Sequence, residues 1–138
     1  MRYLRSRLLL ASLLLSLAGC SGFVFFSNGR VVVAVTVSPS IADPINFPNQ
    51  QVQFVASGTF TISPTLVNPL PGVIWTVDTP AFSGVPGSGH ASINQNGLAQ
   101  CTPGFTGVVQ VIATAPFNPS LPVSPSNQTT GVAQMNCP

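Results

Sequence analysis

Charge is what this chain has least of: there is no lysine and no glutamate, and four arginines and two aspartates are the whole formal supply in 138 residues. Arg2, Arg5 and Arg7 crowd the start, so beyond residue 20 only Arg30, Asp43 and Asp78 carry charge. Nucleic-acid binding is thereby excluded, because affinity for a phosphate backbone comes from many Lys and Arg contacts. Acid–base chemistry is short of groups as well. Glycoside hydrolysis needs two carboxyl groups flanking one bond, and Asp43 and Asp78 lie in separate segments, which also argues against a calcium cage. His90 is the only histidine. Its context, Gly87-Ser88-Gly89-His90, lacks the strand-turn-helix setting of a nucleophile elbow, and it reads as a solvated loop residue. No catalytic residue or cofactor motif emerges, and the expectation is a protein that is not an enzyme. Sparse charge does not imply disorder, which combines low hydrophobicity with high net charge; here 45% of the residues are hydrophobic.

What is present begins with a leader. A positive start with Arg2, Arg5 and Arg7 precedes an apolar run over residues 8–18 and a small-residue cleavage site, the three parts of an export signal. Leu17-Ala18-Gly19-Cys20 resembles the lipobox of bacterial lipoproteins. The resemblance implies cleavage just before Cys20, a thioether-linked lipid on its sulfur, and usually acylation of the new N-terminus. The apolar run is shorter than the roughly 20 residues that span a bilayer, but Phe23, Val24, Phe25 and Phe26 extend it, so an uncleaved anchor is the rival reading. Both leave the domain tethered outside the cytoplasm. Several acyl chains, at about 0.8 kcal/mol per buried methylene, would hold it essentially permanently. Ser21, rather than Asp, follows the cysteine, and the resemblance then implies the outer membrane, with the domain facing the periplasm or the exterior. The expected organisation is a signal peptide over residues 1–19, a lipidated tether over 20–30 and one folded domain over 31–138.

With Cys20 given to lipid, Cys101 and Cys137 remain as an even pair in an oxidising compartment, where a disulfide is expected. The alternative is two buried free thiols. Two cysteines and a lone His90 at unrelated spacing do not make a zinc site. Along the chain, β-branched runs alternate with Pro, Gly and Asn punctuation about every 8 to 12 residues, the pattern of a sandwich rather than of βα units. In residues 52–62, Val52, Phe54, Ala56, Gly58, Phe60 and Ile62 face one way and polar residues the other, as in a half-buried strand. Val73, Trp75 and Val77 alternate likewise, which puts the only tryptophan at the centre of the core. Residues 91–93 and 98–101 flank the turn Asn94-Gln95-Asn96-Gly97 as a hairpin, followed by strands over 108–115 and 131–137. Asn28-Gly29 marks a further turn, with residues 23–26 before it either strand or tether.

Val35-Thr36-Val37-Ser38-Pro39, then Gln53-Phe54-Val55-Ala56-Ser57-Gly58-Thr59-Phe60, Trp75, Ala91-Ser92-Ile93-Asn94-Gln95-Asn96-Gly97-Leu98-Ala99 and residues 107–114 together resemble the bacterial immunoglobulin-like domains of group 2. The likeness runs from Val31 to Ala115. It implies an all-β fold, an immunoglobulin-like antiparallel β-sandwich of about seven strands. Such domains occur in surface adhesins, invasin-like proteins and polysaccharide-handling proteins, usually as spacers or binding modules, and the family has no catalytic residues to carry over. The cysteine pair and a long proline-rich insert before the last strand depart from the usual pattern.

That insert places Pro116, Pro119, Pro122 and Pro125 at every third residue, the period of a polyproline II helix. It reads either as a rigid connection packed over the sandwich or as a display segment. In an immunoglobulin-like sandwich the second-to-third and sixth-to-seventh strand loops cluster at one end, here residues 63–72 and 116–128. Leu66, Val67 and Leu70 in the first and Phe117, Leu121 and Val123 in the second would form an exposed apolar tip of the kind monomers seldom show without a partner. The functional expectation is a lipid-anchored, non-catalytic envelope protein acting as a protein-binding or adhesion-type module. A glycan is the lesser candidate, because glycan binding would normally want exposed aromatics, and Tyr3 leaves with the leader while Trp75 faces inward. The alternative is a structural spacer that self-associates through an uncharged edge such as residues 31–37.

Overall fold

The computed structural model describes residues 29–78 and 89–138. The leader, Cys20, residues 23–26 and most of the turn at Asn28-Gly29 lie outside the described residues. In chain order the strands are β1 (Val32–Ser38), β2 (Ile41–Ala42), β3 (Gln51–Gln53), β4 (Val55–Phe60), β5 (Leu66–Val67), β6 (Ile74–Asp78), β7 (Ala91–Ile93), β8 (Leu98–Cys101), β9 (Gly107–Ala115) and β10 (Thr129–Cys137). One layer holds β1-β4-β5, continued by β3-β8-β7; the other has the order β2-β10-β9-β6. This is an all-β, immunoglobulin-like sandwich.

Among the described residues the strands number ten rather than about seven, for identifiable reasons. The first strand divides at Ser38-Pro39, a cis peptide: β1 pairs antiparallel with β4 in one layer, while β2 crosses over and runs parallel to β10 in the other. That parallel pair is the one exception to the antiparallel pairing among the described strands. The run over residues 52–62 also divides, at Phe54. Its N–H bonds to the Gly97 carbonyl at 2.8 Å, so β3 pairs with β8 and β4 with β1. The inward alternation survives the break, because Val52, Phe54, Ala56, Gly58 and Phe60 are all buried. Ile62, expected on that face, is exposed: β4 ends at Phe60 and the pleat ends with it. The third addition, β5, is a short piece of the following loop that pairs with Gly58 and Thr59.

The core lies between unlike faces. Val32, Val35, Val37, Phe54 and Phe60 fill one side; Val109, Val111, Ala113, Ala133 and Met135 form the smoother opposite side. Burying side chains of the Val, Phe and Met size contributes about 1.5–3 kcal/mol each. Phe54 and Met135 are the largest fully buried side chains among the described residues. Trp75 is therefore not the centre of the core. It points inward and packs against the core but is half-buried, because β6 ends its sheet and leaves one side of the indole open. At Gly131 a Cβ would lie 2.6 Å from the Val35 carbonyl oxygen, so only glycine lets β10 approach β1 this closely. The outer edge of β1 is thus covered by β10, and its Val32 N–H bonds to the Phe117 carbonyl at 2.8 Å. The hairpin of β7 and β8 pairs Ala91 with Cys101 and Ile93 with Ala99; Gly97 closes its turn at φ +80, a conformation that favours glycine.

Cys101 and Cys137 are bonded, with their Cα atoms 5.8 Å apart. The bond ties the end of β8 to the end of β10, and so joins the two layers.

Candidate functional site

The described residues begin at Gly29, between the two loops expected to form a tip. The Thr61 hydroxyl donates to the Gly29 carbonyl at 2.9 Å and accepts from the Val31 N–H at 3.0 Å. The Arg30 guanidinium donates to the Ile62 carbonyl at 3.3 Å through Nε and to the Pro64 carbonyl at 2.9 Å through Nη2. It also lies 4.0 Å from the centroid of the Phe60 ring, a cation–π contact. The only basic side chain among the described residues therefore clamps the start of the 63–72 loop. Gly29 and Arg30, on the tether side of the boundary at residue 31, are hydrogen-bonded into the sandwich.

The 116–128 loop is organised around Asn127, which is 8% exposed. Its side-chain oxygen accepts from the Asn118 N–H at 2.7 Å. Its amide nitrogen reaches the carbonyls of Asn118 at 3.3 Å, Leu121 at 3.4 Å and Pro122 at 2.9 Å. Leu121 N–H closes a turn on the Asn118 carbonyl at 3.0 Å, and Asn127 N–H closes another on Ser124 at 2.9 Å. The expected polyproline II segment is thus replaced by two turns. A side-chain amide with three carbonyls within reach requires the chain to fold around it, and the proline period does not decide the path.

The six tip residues do not behave alike. Leu66, Phe117 and Leu121 are exposed by 64%, 45% and 53%, and Ile62 joins them at 46%. Val67 and Val123 are half-buried. Leu70 belongs to the core: its N–H bonds to the Ala56 carbonyl at 2.8 Å, and it covers Gly58 so closely that a Cβ there would lie 2.7 Å from Leu70 Cδ1. The 63–72 loop folds back along β4, which turns Leu70 inward. What joins the two loops is the start of β1, bonded to Thr61 on one side and to Phe117 on the other.

A second surface escaped the sequence reading. On the outer face of the β2-β10-β9-β6 sheet, Ile41, Val132 and Ile74 are exposed and Ile112 is half-buried. Val132 stands opposite Ile112. Ile41 stands opposite Gln134, and Ile74 opposite Thr114, so each is the diagonal neighbour of the central pair, within reach of long side chains. The four form an aliphatic stripe across all four strands. The signal was available in the outward positions Val108, Gln110, Ile112 and Thr114, where a solvated face would be wholly polar.

Elsewhere the described residues offer little chemistry. A cleft of about 420 Å³ lies between Pro69–Gly72, Gln53, Trp75 and the Gln95-Asn96 turn, and its lining carries no titratable side chain. His90 is half-buried rather than solvated, with its ring 4.2 Å from that of Phe105, near the disulfide. Asp43 accepts from the Asn136 amide at 2.7 Å. Among the described residues no three acidic, His or Cys side chains are grouped to hold a metal. No family model and no curated protein matches this chain.

Proposed function

We propose that this chain is a lipid-anchored, non-catalytic protein of the bacterial envelope whose sandwich serves as a protein-binding or adhesion-type module. The lipobox-like Leu17-Ala18-Gly19-Cys20 supports the anchor and the export route. The observation that carries the binding role is the diagonal stripe Ile41, Val132, Ile112 and Ile74. An aliphatic centre rimmed by Gln110, Gln134, Thr76 and Thr114, with Asp78 opposite Gln110 on the same face, matches the apolar core and polar rim of protein interfaces. A glycan fits less well, because the single tryptophan has one side of its indole packed against the core. Crosslinking from native membranes, comparing the natural protein with Val132→Glu and Ile74→Glu, tests the reading. One specific protein lost with both variants, at unchanged melting temperature, supports it; an unchanged set of crosslinked proteins contradicts it.

The stripe also supports the second reading, a self-associating structural subunit. A flat apolar stripe can face its own copy in an isologous pair. In that case the mass in solution rises with concentration, independently of salt, and Val132→Glu abolishes the rise.

A further inference from the structure

We infer that the tip formed by the 63–72 and 116–128 loops seats on the bilayer surface to which Cys20 is anchored, a surface bearing anionic headgroups. This rests on the lipid-anchor reading above and adds to it the face that the domain turns to the membrane.

The first support is the position of Gly29. Gly29, Arg30 and Val31 are bonded to Thr61, Ile62 and Pro64, and Val32 to Phe117, so both loops flank the start of the described residues. Nine Cα-to-Cα steps separate Cys20 from Gly29, which sets an upper limit of roughly 32 Å on the distance between them. A nine-residue strand such as β10 is itself about 30 Å long. The connection reaches no farther than about the length of the domain, so the end at which Gly29 stands is the one held nearer the lipid.

The second support is the chemistry of that end. Ile62, Leu66, Phe117 and Leu121 project there, and neither loop contains a charged residue. Apolar side chains alone do not suit a headgroup region if backbone polar groups go with them unsatisfied. Here the carbonyls of Asn118, Leu121 and Pro122 already accept from Asn127, and those of Ile62 and Pro64 from Arg30. Pro116, Pro119, Pro122 and Pro125 have no N–H to desolvate. Loops folded in advance around Asn127 lose little freedom on docking.

The third support is the distribution of charge. The single basic side chain of the described residues, Arg30, stands at the tip. Asp43 is bonded to Asn136, next to Cys137, and Asp78 lies opposite Gln110 on β9; both carboxylates are thus set back toward the other end. An anionic surface attracts a basic group within a Debye length and repels acidic ones, so this polarity turns the tip downward. The orientation leaves the aliphatic stripe of the sheet standing beside the membrane, free for a partner.

The test uses the lipidated protein in vesicles of phosphatidylethanolamine and phosphatidylglycerol with brominated acyl chains, which quench tryptophan at the level of the lipid. Leu121→Trp is compared with Val132→Trp on the sheet face, with Trp75 alone as the reference for both. The expected result is emission from the Leu121→Trp residue about twofold lower in brominated than in ordinary lipid, with little change for Val132→Trp. Equal quenching at the two positions overturns the seating while leaving the anchor intact. Absence of lipid on Cys20 by mass spectrometry overturns the anchor and the seating together. Shielding of Leu121→Trp from aqueous acrylamide in native membranes but not in pure lipid vesicles assigns the tip to a protein and overturns the bilayer as its occupant.

Discussion

At the end of the sandwich where β8 and β10 finish, Cys101 is bonded to Cys137, His90 packs at a tilt against Phe105, and Asp43 holds Asn136. At the opposite end the clasp is polar: Thr61, Arg30 and Asn127 bind backbone groups, while Ile62, Leu66, Phe117 and Leu121 face outward. The difference shows how a chain with almost no charge divides its work. One end uses a covalent link and aromatic packing to keep the layers together. The other gives backbone satisfaction to a few polar side chains, and so leaves its aliphatic and aromatic groups available to something outside the fold.

Removing the link at the closed end gives the largest expected effect. Cys101→Ala with Cys137→Ala loses about 4 kcal/mol in the chain-entropy account of a cross-link spanning 36 residues, measured by guanidinium unfolding. A loss near zero would mean that packing alone holds that end. Leu70→Ala comes next, at about 3 kcal/mol for a large-to-small change in the core, although Leu70 stands in the same loop as the exposed Leu66. Asn127→Ala is expected to cost about 2 kcal/mol, since it leaves loop carbonyls without their donor. Its amide exchange should quicken over residues 118–124 and stay unchanged beside the disulfide. Phe117→Ser with Leu121→Ser should change stability by less than about 0.5 kcal/mol, as for surface positions. A large fall would move those side chains into the core and erase the contrast between the two ends.

Much of the closed body was legible in the sequence. The period-two alternation at residues 52–60 set the inward face correctly, the Asn94-Gln95-Asn96-Gly97 turn formed its hairpin, and the pair left after Cys20 is bonded. The failures share a cause: each depended on a contact distant in sequence. Nothing local shows that Phe54 bonds to Gly97 and switches sheets, or that Asn127 gathers carbonyls up to nine residues away. Proline spacing suggested an extended segment because it reports φ, and φ alone does not say where a loop turns. Trp75 was placed at the core's centre because its alternation points inward; its strand ends the sheet, and only tertiary order reveals that. The aliphatic stripe needed the strand register, since Ile41, Val132, Ile112 and Ile74 become neighbours only across four strands.

Both the proposed envelope role and the proposed seating of the tip on lipid require an anchor at Cys20. Intact-mass and peptide mass spectrometry of the protein extracted from bacterial membranes tests it directly. The result predicted is a chain that begins at Cys20 and carries a diacylglyceryl thioether and an N-terminal acyl group. An unmodified Cys20 with residues 1–19 still attached would contradict it.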